Sequence, residues 1–122
     1  MLLKNHRLSQ RYVKSSREFI VHSHSYKKED WPFHFDDAKL VVTTKFVMNG
    51  SKPIVEVLHW EDGDWQFMCN TTNNSADGML VCMGCVFEQF PWIKKFKDLK
   101  AGHLSFFDEE LNDWVVEKIE CN

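Results

Sequence analysis

From Leu40 to Met68 the chain is a series of short β-branched and aromatic runs cut by turn signals, and that rhythm restricts it to a sheet-built fold. "LVVTTKFV" at 40–47 and "IVEVLHW" at 54–60 flank Asn49-Gly50-Ser51-Lys52-Pro53. Asn and Gly accept the positive φ that a reversal needs, so the spacing predicts a hairpin with a loop longer than two residues. "EDGD" at 61–64 is a second turn signal, and "WQFMC" resumes with Trp65 and Phe67 on one face of an alternating strand. Three antiparallel strands following one another as a meander are expected.

Beyond Cys69 the pattern changes twice. "NTTNNSADG" at 70–78 is rich in Asn, Ser and Thr and reads as an exposed loop, and "MLVCM" makes a fourth strand. Val86, Phe87, Phe90, Ile93 and Phe96 then fall near helical spacing, with Pro91 forcing a fresh first turn inside the segment. "HLSFF", "DEELND" and "WVVEKI" read as strand, turn and strand. Residues 31–122, opening on the aromatic "WPFHF", are thus expected to form a single α+β domain. It has a mostly antiparallel sheet, meander plus C-terminal hairpin, with one or two short helices on one face. Residues 1–30 form a basic N-terminal arm with room for a short helix.

A chain of 122 residues suits one hydrophobic core, and 43% hydrophobic residues exclude a disordered chain. The charged N-terminus lacks the apolar run of a secretory signal, and no apolar run approaches the ~20 residues that span a bilayer. Cys69, Cys82, Cys85 and Cys121 in such a chain read as thiols of a cytoplasmic protein. Net charge is −3, but it is unevenly spread. Residues 1–28 hold seven Lys or Arg against Glu18 alone, and the remainder holds eight against seventeen acids, so the arm is +6 and the body −9.

Three chemistries can be weighed on these residues. Cys82 and Cys85 have the C-x2-C spacing of metal knuckles and thiol-disulfide enzymes, and His22 and His24 would complete a two-Cys, two-His zinc set. The histidines lie some sixty residues upstream, outside any compact finger pattern, and the βαβ context of a redox motif is missing. Buried thiols are therefore the expectation, with no metal and no cofactor. The basic arm would suit nucleic acid, but the acidic body opposes it. No glycine-rich phosphate loop, "HExxH" or "GxSxG" is present, so no enzymatic activity is expected.

The stretch from Val42 to Ile119 resembles a family of small bacterial proteins first catalogued as a domain of unknown function and later grouped with the immunity proteins of polymorphic toxin systems. "VTTKFVMNGSKPIVEVLH", "EDGDWQF", "LVCMGCVFEQFPWIKKFKDLKAGHLSFF" and "DWVVEKI" carry the likeness. Asp62, Gly63, Asp64, Trp65 and Phe67 match the family's D-G-x-W-x-F turn, Leu99 and Gly102 its leucine-and-glycine link, and Trp114 its last element. Phe90 precedes Pro91 where the family has an acid, and the Cys82/Cys85 pair departs from its pattern. The resemblance implies a non-enzymatic, cytoplasmic protein that neutralises a cognate toxin by occluding it. With the charge balance, it makes Glu61, Asp62, Asp64, Asp108, Glu109, Glu110 and Asp113 the expected contacts to a basic toxin domain. A metal-binding or thiol-active protein through Cys82 and Cys85, and a regulatory domain binding nucleic acid through its arm, remain the alternatives.

Overall fold

The computed structural model describes residues 19–20 and 23–120. Among the described residues seven strands build one sheet: β1 (Phe19–Ile20), β2 (Leu40–Thr44), β3 (Glu56–His59), β4 (Trp65–Met68), β5 (Gly78–Cys82), β6 (His103–Asp108) and β7 (Asp113–Lys118). Their order is β1-β5-β2-β4-β3-β6-β7. All pairings are antiparallel except β1 with β5 and β2 with β4. Two short helices, α1 (Lys45–Met48) and α2 (Met83–Gln89), and three 3-10 segments, at Lys28–Asp30, Ser75–Asp77 and Pro91–Phe96, complete the α+β domain among the described residues.

Side chains alternate across the sheet and divide the core in two. Val41, Val57, Phe67 and Val81 point to the face that Met83 and Val86 of α2, Ile93, Phe96 and Phe33 also fill. Val42, Leu58, Leu80, Leu104 and Phe106 form a second buried cluster. Phe33 docks among Trp31, Phe35, Trp65 and Phe87, so "WPFHF" anchors the chain to the helical face. The helix that breaks at Pro91 behaves as its residues imply: α2 ends at Gln89, and Pro91, which lacks a backbone donor, begins the 3-10 turn.

Two segments depart from the sequence expectation: in the expected arm Phe19–Ile20 is not helical but forms β1, a strand of the sheet paired with β5, and the run 40–47 is divided. The run 40–47 is not a single strand, because Thr44 stops β2 and caps α1: its Oγ1 accepts a hydrogen bond from the Val47 amide at 3.2 Å. The turn at 49–53 consequently closes no hairpin. It carries the chain past the next sheet position, so that β4 inserts between β2 and β3 and runs parallel to β2 at Val42 and Gln66. Thr43 seals this junction by donating its buried hydroxyl to the Phe67 carbonyl at 2.6 Å. The expected three-strand meander is therefore absent among the described residues: β3–β4 and β6–β7 are separate hairpins, joined side by side through the β3–β6 pairing.

Candidate functional site

Three side chains with soft or borderline donor atoms converge where β5 meets α2. Cys82 is the extended residue before α2 and Cys85 lies in the first helical turn, so the C-x2-C spacing brings their sulfurs to 3.2 Å. His24 arrives from a segment 58 positions earlier, with Nε2 3.3 Å from Cys82 Sγ and 3.5 Å from Cys85 Sγ. Both thiols are buried, His24 is half-buried, and all three donor atoms lie within 4.8 Å of one another. The cysteines are not joined in a disulfide.

The surroundings show how His24 is placed. β1 pairs in parallel with β5, the strand that runs into α2. The Tyr26 hydroxyl donates to the Gly84 carbonyl at 3.0 Å, and its ring stacks on His24 at 5.6 Å. Burial first, then the nearby Glu88, Asp37 and the two cysteines, raises the Tyr26 hydroxyl above its ordinary pKa, so it stays a donor. A Cβ placed on Gly84 would sit 2.7 Å from His24 Cγ and 2.8 Å from Nε2. Glycine at 84 is thus what allows the imidazole to lie on the first turn of α2. The Met83 and Gly84 amides, otherwise orphaned at the helix start, donate to the Lys39 and Asp37 carbonyls.

His24 was half of the histidine pair that sequence spacing disfavoured as a zinc partner. His22 lies outside the described residues, as do Cys121 and the arm's Lys4, Arg7, Arg11, Lys14 and Arg17. The signal that could have identified His24 is the glycine between the two cysteines, a small residue where a helix gains nothing from it.

The acidic turns do not form one patch. Glu61, Asp62 and Asp64 follow β3 at the end where His59 faces His103, whereas Asp108, Glu109, Glu110 and Asp113 close the β6–β7 hairpin at the other end of β6. The five steps from His103 to Asp108 separate them by about 17 Å. Asp108 is buried, not solvated: its Oδ1 accepts from the Glu110 and Leu111 amides at 2.9 and 3.1 Å and fixes the hairpin tip. Asp62 has the same role in its own turn, accepting from the Asp64 amide at 3.1 Å. Glu109, Glu110 and Asp113 are exposed around Leu111, which is 64% exposed. β7 is the last strand of the sheet, and along it Val116 is 59% exposed.

Residues that carry the family resemblance serve the fold. Gly63 and Gly102 hold positive φ, and Trp65 and Phe67 are buried. Trp114 packs against Phe96 and Phe107. Among the described residues no helix is long and apolar enough to cross a membrane. No protein-family model, curated protein or solved structure matches this chain.

Proposed function

We propose that the chain is a non-enzymatic, cytoplasmic protein-binding domain that neutralises a basic partner by occlusion, as the resemblance of residues 42–119 to toxin-immunity proteins implies. The observation that carries the reading is the β6–β7 tip, where exposed Leu111 is flanked in the chain by exposed Glu109, Glu110 and Asp113 on a turn fixed by Asp108. An exposed apolar side chain beside acids gives a basic partner apolar contact and charge complementarity at one place, and a fixed turn lowers the ordering cost of docking. The exposed β7 edge beside it offers backbone groups and Val116 for further contact. The acids at 61–64 lie outside this footprint and contribute only to the long-range field that steers a cationic partner.

The test is a comparative pull-down from host extract with mass spectrometry. The triple variant Glu109→Lys, Glu110→Lys, Leu111→Ala is set against Asp62→Lys, Asp64→Lys at the far end. One basic protein retained by wild type and by the far-end variant, but lost from the tip variant, is the expected result. Equal loss from both variants, or no specific capture by wild type, sinks the reading.

A further inference from the structure

We infer that Cys82, Cys85 and His24 form a zinc-binding site, coordinating the ion through the two sulfurs and Nε2, with the fourth position left to water or a small exogenous ligand. The inference goes beyond partner binding and stands without it.

The donor spacing fits a small ion. Sulfur to sulfur is 3.2 Å, and Nε2 lies 3.3 and 3.5 Å from the sulfurs. A circle through three points so spaced has a radius of roughly 1.9 Å, so an ion about 2.3 Å from each sulfur and about 2.0 Å from the nitrogen sits roughly 1 Å out of their plane. That is the base of a tetrahedron with its apex open. Ideal tetrahedral geometry sets two thiolate sulfurs about 3.7 Å apart, so binding opens the cysteine pair by about half an ångström. Small side-chain rotations of Cys82 and Cys85 supply that movement without moving the backbone.

The donor chemistry favours a soft or borderline ion over a hard one. Two thiolates and an imidazole prefer zinc over magnesium or calcium, which take oxygen ligands. On binding, each thiol gives its proton to solvent, and the two thiolates neutralise the divalent charge, so the buried site carries no net charge. Gly84 is a second, independent observation. It forgoes the helix propensity of a larger residue at a position where any Cβ would push the His24 ring away. Tyr26 then holds the imidazole's segment against the same turn. His24 also borders an open cleft of about 440 Å³ lined in part by Ser23, Tyr26, Phe87 and Glu88, which gives the site access to solvent. Cys69 stands apart, with Thr44 and Thr71 on its sulfur, and is not a ligand.

The test uses the untagged full-length chain, kept reduced with a phosphine, incubated with zinc chloride and gel-filtered. One zinc per chain by plasma mass spectrometry is expected, and cobalt(II) in its place should show a thiolate-to-cobalt charge-transfer band. Competition with a chromophoric chelator should show at least tenfold weaker zinc binding in Cys85→Ser and in His24→Gln. Cys69→Ala should leave binding unchanged, and His24→Cys, which supplies a third thiolate, should recover what His24→Gln loses. Cys82 is fully buried, so if Cys82→Ser does not fold, the partly exposed His24 position still decides the matter. No zinc on the reduced, folded wild-type chain, or affinity unchanged in either Cys85→Ser or His24→Gln, overturns the assignment.

Discussion

Replacing Gly84 by alanine separates ligand placement from fold stability. The new Cβ would meet His24 Cγ at 2.7 Å and Nε2 at 2.8 Å, and the ring's Cδ2 closer still. Ordinary contacts between such atoms are about 3.5–4.0 Å, so the ring must retreat by roughly 1 Å. A zinc–nitrogen bond of about 2.0–2.1 Å does not tolerate that displacement, and the imidazole is lost as a ligand. Loss of an outer-shell partner already weakens metal sites by about 10–100-fold, so at least a hundredfold loss is expected, about 2.8 kcal/mol. Without metal the change is small. Alanine gains up to about 1 kcal/mol of helix propensity, and the displaced ring gives back a similar amount of packing. Urea melts with and without zinc at a hundred times the wild-type Kd should therefore show wild type stabilised by about 2.7 kcal/mol and Gly84→Ala by about 0.4 kcal/mol. Equal zinc-dependent gains in the two proteins would refute the reasoning.

Phe67→Ala, in a fully buried position on β4 between β2 and β3, should cost about 3–5 kcal/mol in urea unfolding. A cost under 1 kcal/mol would contradict that packing. Asp108→Ala removes the acceptor of two tip amides and should cost about 1–3 kcal/mol, with faster hydrogen exchange at Glu110 and Leu111. Unchanged exchange there would show that the tip does not depend on Asp108. The Thr72 hydroxyl at 2.6 Å, and then Lys45 at 3.3 Å, hold the Asp77 carboxyl below its ordinary pKa. A depressed folded-state pKa stabilises above the unfolded value of about 3.9 and is lost as pH falls through the folded one. The stability gap between wild type and Asp77→Asn should thus be present at pH 7 and close below about pH 4; a gap that does not vary with pH contradicts it.

The strands that could be read from the sequence are those whose limits are set by neighbours in the chain. Asn112 at φ 54 and Gly63 at φ 95 mark the β6–β7 and β3–β4 turns, and both hairpins lie where the alternating runs and turn residues predict. The end of β2 could not be read that way. Thr44 is a good strand residue by propensity, but here its hydroxyl caps α1 and its strand finds β4 and β5 as partners rather than β3. Which strands pair across a crossover depends on contacts distant in sequence, and local pattern does not encode them.

The sites show the same division. Glu109, Glu110 and Asp113 were legible as an exposed acidic turn, but Asp108 looks identical in sequence and is buried as the turn's cap. That the acids at 61–64 lie at the opposite end follows from the β3–β6 register alone. Cys82 and Cys85 were visible as a pair, whereas His24 joins them only because β1 runs alongside β5 and Gly84 leaves space for the ring.

The most direct measurement of the binding account is site-specific photo-crosslinking in the host, with a benzophenone amino acid placed at Leu111 or at Asp62 of the full-length chain. A discrete adduct to one basic protein from Leu111, with none from Asp62, is the predicted result. An adduct from Asp62 but not from Leu111, or none from either position where wild type captures a partner, would contradict docking through the β6–β7 tip.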